Sequence, residues 1–338
     1  VEAPGHHRVG VAGLPPTPFT HLHLHTQYSL LDGAIKHTPL FERVKALGMT
    51  GVAMTDHGNL FGAVEFYEKA RANGVKPILG CEVYIASGSR FDREKRERDS
   101  SGFDAIHHQL LLAMNETGYR NLMYLVSKAY LEGFYYRPRI DMDLLRQRNE
   151  GLIATSGCLS STVCRAITGG EVDRAWSLVE DFSSIFGDRY YLELQRHGIP
   201  EQDAVNAELV KMAADLRLPF LATNDAHYLE EHDHEHHDAL LCIGTAANLD
   251  DPKRFRFEGR GFYLKSGDEM LDLFHDHPSA ITNSMEIAER CDVEIPMGNY
   301  HMPEFQVPSS TTREAVLEEK AFAGLRERLG LAPDEPFG

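Results

Sequence analysis

From Thr20 onward, short apolar runs alternate with longer amphipathic stretches. Runs of strand length fall at Thr20–His25, Val52–Thr55, Ile78–Tyr84, Gln109–Ala113, Leu152–Thr155, Tyr190–Leu194 and Phe220–Thr223. Helical spacing of apolar residues marks Leu40–Leu47, Ala63–Ala72, Tyr119–Leu131, Val172–Phe186 and Ala204–Leu216. Strand–helix alternation over about seven units predicts an α/β fold, with a parallel sheet closed into a barrel or a doubly wound sheet. After Asp225 the pattern turns helical at His232–Cys242, Asp268–His275 and Ala280–Cys291. A Pro-punctuated crossing follows at Tyr300–Pro308, then a charged amphipathic helix at Thr311–Leu329. A domain boundary is placed near residue 298. Residues 1–18 read as an extended tail, and Arg90–Ser101, rich in mixed charge, as a mobile solvated loop.

The first strand carries the most unusual pattern. His alternates with Leu from His21 to His25, so the period of a strand puts successive imidazoles on one side. Such a row has little packing value, but it suits a transition metal. Other polar residues cluster near the ends of the strands: Asp32 after the first, Asp56 and His57 after the second, Glu82 within the third, His107 and His108 at the start of the fourth, Cys158 after the fifth, and the pair Asp225 and His227 after the seventh. In a β/α barrel those ends face one another around one mouth. Imidazole, carboxylate and one thiol suit Zn, Mn or Fe better than the all-oxygen shells of Mg or Ca. The set exceeds what one tetrahedral ion can use, so two or three metals are expected.

Blander roles stand beside these. Taken alone, His57 or His108 reads as a satisfied core residue. Cys81 is a small apolar residue that packs. Asp56 could cap the next helix. The dense run His232, His234, His236 and His237 reads as a solvated helix face, with His237 an exception if it turns toward the mouth.

Composition narrows the function. The 338 residues carry a formal charge of −17, which argues against a simple nucleic-acid coat but not against a nuclease whose bound cations supply positive charge. Five Cys with no Cys-x-x-Cys pair read as a reduced, cytoplasmic protein, and no apolar run approaches membrane-spanning length. The chain starts without Met and stops shortly after a helix-like stretch, which reads as a fragment of something longer.

The strings His23-Leu-His-Thr-Gln-Tyr-Ser-Leu-Leu-Asp-Gly-Ala34, Thr55-Asp-His-Gly-Asn-Leu60, Gly80-Cys-Glu82, Asn115-Glu-Thr-Gly-Tyr-Arg-Asn-Leu122 and Ala222-Thr-Asn-Asp-Ala-His-Tyr228 stand out together. They resemble the polymerase-and-histidinol-phosphatase (PHP) family, and more narrowly the PHP domain at the N-terminus of bacterial DNA polymerase III alpha subunits. The downstream strings His237–Ile243, Phe262–Ser266 and Ile287–Cys291 fit the same family. The resemblance implies a distorted seven-stranded barrel with up to three divalent metals, Zn or Mn before Fe or Mg. Carried over, the ligands are His23, His25, Asp32, His57, Glu82, His108, Cys158, Asp225 and His227, with His21 left as a supporting or packing residue. It further implies a PHP domain over 19–298 and, over 299–338, the start of a polymerase portion that ends before its palm carboxylates. The implied chemistry is in-line attack of a metal-bound hydroxide on a DNA phosphodiester, as in 3′→5′ proofreading, with Asp225 and His227 among the groups that hold it. Arg137, Arg139 and Arg196 are candidate phosphate contacts. Implied partners are the primer 3′ end, the rest of the alpha subunit, the sliding clamp and a separate proofreading subunit. Two other functions stay open: a non-catalytic, metal-stapled scaffold that docks that subunit, and a small-molecule phosphatase.

Overall fold

The computed structural model describes residues 15–93, 106–300, 302–332 and 335–336. Most of the tail (residues 1–14) and most of the charged loop (residues 94–101) lie outside the described residues. The strands are β1 (Gly51–Met54), β2 (Lys76–Ala86), β3 (Ile106–Ala113), β4 (Arg139–Ile140), β5 (Leu152–Thr155), β6 (Tyr190–Leu194) and β7 (Phe220–Ala222). They form one curled sheet in the order β1-β2-β3-β5-β6-β7, with β4 paired to β2 on the edge opposite β3. β1, β5 and β6 are buried along their whole length, which is why apolar residues dominate them.

Two features depart from the sequence expectation. The sheet is not all parallel: β3 runs antiparallel to both β2 and β5. The sequence predicts no helix between β2 and β3, and a parallel return requires a crossover whereas an antiparallel one does not. The short β4 was not expected at all.

The second departure is in the segment predicted as the first strand. Thr20–Thr26 is extended but irregular, and it closes the gap between the two ends of the sheet. His25 N–H donates to the Ala226 carbonyl at 2.8 Å and Ala226 N–H donates to His23 at 3.2 Å. On the other side Ala53 N–H donates to the His21 carbonyl, while Thr55 N–H donates to Leu24. Two residues of the β1 side therefore span three of this segment, which is a bulge. Leu22 packs in the inner row with Ala53, Ile78, Leu112, Ile153, Tyr191 and Leu221, one from each neighbouring strand. Leu24 instead joins the outer cluster under the helices. His21 correspondingly leaves the face of His23 and His25: its Nε2 meets the Lys265 carbonyl at 2.8 Å and its ring stands edge-on to Phe19.

The inner row is closed by Ile287, Ala288 and Cys291 at the end of the helix Pro278–Arg290. Helix starts follow local chemistry. Asn115 caps Glu116–Leu131 and Asp141 caps Met142–Gln147, each by accepting a backbone N–H. Ser161 caps Thr162–Thr168 in the same way, fixing the turn that carries Cys158. The chain divides into two compact units at Ile295/Pro296. In the second unit the helix Arg313–Leu329 starts at a Thr312 cap and leaves Leu317, Phe322, Leu325 and Leu329 exposed.

Candidate metal centre

Every one of the nine candidate ligands reaches one cluster at the barrel mouth. The extended segment supplies His23 and His25, and the turn after it supplies Asp32. The end of β1 leads to His57, β2 carries Glu82, and β3 carries His108. Cys158 follows β5, and Asp225 and His227 follow β7. Asp225 holds φ 45°, a left-handed conformation that is uncommon outside glycine. Asn224 pins that turn by donating to the carbonyls of Gly261 and Tyr263, each at 2.7 Å.

Glu82 and Asp225 are the hubs. Glu82 Oε1 lies 3.4 Å from His23 Nε2 and 3.3 Å from Cys158 Sγ. Its Oε2 lies 2.7 Å from His57 Nδ1, 3.1 Å from His108 Nδ1 and 3.6 Å from His25 Nε2. Asp225 Oδ1 approaches His23 Nε2 at 3.2 Å, His25 Nε2 at 3.1 Å and His227 Nδ1 at 3.6 Å. Asp32 Oδ2 lies 3.1 Å from His57 Nε2. The His25 ring stacks against both His57 and His227, with centroids 4.0 and 4.4 Å away. Three groups have ligand atoms close enough to share an ion: His23, His25 and Asp225; His25, His57 and His227; His57, Glu82 and His108.

The donor atoms fit cations. His23 Nε2, His25 Nε2, His57 Nδ1, Glu82 Oε2, Asp32 Oδ1 and Asp225 Oδ1 are all buried without a hydrogen-bond partner, a costly arrangement unless something else satisfies them. Charge tells the same story. Burial disfavours the imidazolium of His23, yet Asp225 and Glu193 outweigh it and raise its pKa well above the usual value. His57 is raised likewise, against burial, by Asp32, Tyr84 and Glu82. Glu82, Asp225 and Asp32 are held below the carboxylate range by the surrounding imidazoles, despite burial. Protons on His23 and His57 thus stand where divalent ions would offset the carboxylates. Burial, then Glu82 and Asp225, push the Cys158 thiol well up, so a thiolate there needs a cation beside it.

Supporting residues were partly missed by the sequence reading. Glu193 is fully buried in β6, with Oε1 2.7 Å from His23 Nδ1. It also accepts from Thr155, Thr223 and Gln195. A carboxylate inside the apolar run Tyr190–Leu194 was the available signal. Asp56 caps no helix. It accepts from Thr26 N–H at 2.6 Å, Thr26 Oγ1 at 2.7 Å and Ser29 Oγ at 2.9 Å, and Ser29 Oγ lies 3.1 Å from His25 Nδ1. His237 does turn inward: it is buried, and its Nε2 lies 2.8 Å from the Asp32 carbonyl. His232 and His236 stay exposed. Cys81 packs in the core.

Two of the candidate arginines have partners within the protein. Arg139 is buried and donates to the carbonyls of Gly133, Arg90 and Asp92. Arg196 forks onto Asp276 and the Leu273 carbonyl. Both guanidiniums are engaged with neighbouring loops. Arg137 remains exposed and lies over the Tyr84 ring, which stacks on His57. Among the described residues, no helix is long and apolar enough to cross a membrane.

The PHP domain family matches residues 21–197. The DNA polymerase III subunit alpha of Thermus aquaticus is 46% identical over 92% of this chain, and that of Borreliella burgdorferi 45% over 92%. The chain spans only 26% and 27% of those relatives. Among solved structures, a two-domain Bacteroides vulgatus protein containing a predicted PHP-like metal-dependent phosphoesterase is similar at 14% identity and TM-score 0.38, over 63% of this chain and 55% of that one. The chain belongs to the PHP domain family.

Proposed function

We propose that this chain is the N-terminal PHP domain of a replicative DNA polymerase III alpha subunit, and that its mouth cluster is a di- or trinuclear phosphodiesterase centre acting at DNA 3′ ends. The observation that carries the reading is the convergence of nine N, O and S donors from segments 200 residues apart, several of them buried and without partners. The donor set favours Zn or Mn. Divalent ions bound there would act as Lewis acids toward a phosphodiester and offset its charge.

The chain's own residues do the positioning. His23 holds a proton on Nδ1 toward Glu193, which leaves Nε2 free as a donor. His227 donates from Nδ1 to the Asp225 carbonyl at 2.7 Å, which orients its Nε2 in the same way. Glu82, Asp225 and Asp32 supply negative charge on different sides of the cluster. Tyr84 and Arg137 lie at its rim, where the guanidinium is free to meet a phosphate.

Primer–template DNA with a mispaired 3′ end, incubated with metal-loaded protein, should release mononucleotides. Asp225→Asn should abolish release while the protein stays folded, as followed by circular dichroism. A metal-loaded wild type that never releases mononucleotides overturns the exonuclease reading. One observation favours a second reading, the metal-stapled scaffold: the ligands tie the barrel's first segment to the chain after its last strand, so a cation would lock the closure. In that case chelation lowers the melting temperature with no nuclease activity to lose. Contacts with the rest of the subunit, a clamp or a proofreading subunit, and a cytoplasmic location, follow from either reading.

A further inference from the structure

Rings in near contact lead outward from the ligand cluster. Phe257 sits edge-on to His227 and to His237, each at 4.8 Å. Phe262 lies 4.7 Å from Phe257 and stacks on His197 at 3.8 Å. Phe255 follows Phe257 at 5.9 Å and is 47% exposed, so the row ends in solvent. The segment that carries it reads Arg254-Phe-Arg-Phe-Glu-Gly-Arg260. Arg254 anchors it, forking onto the Asp238 carboxylate with Nε on the Leu249 carbonyl. Neither Arg256 nor Arg260 makes an ion pair among the described residues.

The segment stands between two clefts. One, of about 540 Å³, has Cys158 and Asp225 in its wall together with Phe255, Arg256 and Phe257. The other, of about 690 Å³, shares Arg256 and Phe257 and adds Arg260. Glu201 and Glu258 also face the first cleft, so it is no general anion sink. A ligand there has to present an apolar ring face and a phosphate at short spacing. An unpaired nucleotide does both, whereas a paired one keeps its ring faces inside the stack. Aromatic rings alternating with arginine are a common way to hold a single strand, with bases stacked and the backbone tracked by charge.

We propose that Phe255 and Arg256 form a subsite for single-stranded nucleic acid, in which Phe255 stacks an unpaired base near the 3′ end and Arg256 meets the adjoining phosphate. The proposal rests on the phosphodiesterase reading for its orientation, with the terminal linkage directed toward Asp225 and Cys158. Both are positioning residues.

The test is equilibrium binding of a fluorescent, phosphorothioate-linked (dT)12 by the manganese-loaded protein, followed by anisotropy. Phe255→Ala should weaken binding about ten-fold or more, and Phe255→Tyr should restore it. Arg256→Ala should weaken binding and lower the slope of log affinity against log salt by about 0.7, the value for one single-strand phosphate contact. Equal affinity of wild type and Phe255→Ala, an unchanged salt slope in Arg256→Ala, or no binding by the wild type would each overturn the proposal. Hydrolysis of a small aryl ester of thymidine 5′-monophosphate by the wild type reports on the metal centre alone. A failure of the subsite therefore does not look like a failure of the chemistry.

Discussion

Glu193 Oε1 lies 2.7 Å from His23 Nδ1, and both side chains are completely enclosed. The contact fixes which nitrogen of His23 faces the mouth and makes that nitrogen a better donor. Partners of this kind change metal affinity by about 10–100-fold when removed. Glu193→Gln should therefore weaken metal binding by that order, measured by competition with a chromogenic chelator. Unchanged affinity would mean that His23 is oriented by packing alone.

Metal removal should cost stability. Without cations the cluster leaves buried carboxylates and ring nitrogens unsatisfied, and a ligand that binds only the folded state stabilises it by about 4 kcal/mol at a thousand-fold excess over Kd. Chelation should lower the melting temperature by on the order of 10 °C for a unit of this size. Readdition of Zn or Mn should restore it, and a scanning-calorimetry trace indifferent to chelator would contradict the fit of these residues to cations.

Much of this was legible in the chain. The ligand types recur at the ends of apolar runs, and a barrel brings strand ends together, so His57, Glu82, His108 and Asp225 could be grouped before any coordinates. The bulge between His21 and His23 could not be read, because a one-residue insertion leaves the Leu-His alternation intact while turning His21 away. The reversal of β3 was missed because periodicity records faces and not direction. The internal partners of Arg139 and Arg196 could not be read, because nothing local shows that a guanidinium meets distant carbonyls or Asp276. Glu193 was passed over as one charge in an apolar strand, where burial itself should have raised the question of its partner.

Gly33 is a second control on the site. A Cβ there would fall 1.9 Å from the Thr26 carbonyl oxygen and 2.9 Å from Ser29 Cβ. The turn that delivers Asp32 has no space for it. Gly33→Ala should destabilise the protein by about 2–3 kcal/mol through forced backbone displacement and lower metal occupancy with it. Denaturant unfolding and elemental analysis of the same sample check both effects.

Lys265 gives a pH signature away from the ligands. Its ammonium is buried beside the Tyr263 ring and donates to the Gly261 carbonyl. Burial lowers its pKa to about 8, with Glu269 and Glu231 opposing. Between about 8 and 10.5 the unfolded chain holds more protons at this site than the folded one, so stability from this group rises with pH across that window. Below it the cost of the buried charge is fully present. The stability of wild type relative to Lys265→Met should rise by about 1–3 kcal/mol across the window. A flat difference would show that the ammonium is not desolvated.

The most direct test of the central claim is a count of metals per chain, by elemental analysis of protein purified without chelator, in wild type and in Glu82→Gln. Glu82 lies within 3.6 Å of donor atoms on His23, His25, His57, His108 and Cys158, so the account predicts two or three ions in the wild type and a loss of at least one in the variant. A wild type that holds no ion after exposure to Zn and Mn, or a variant with the full complement, would contradict it.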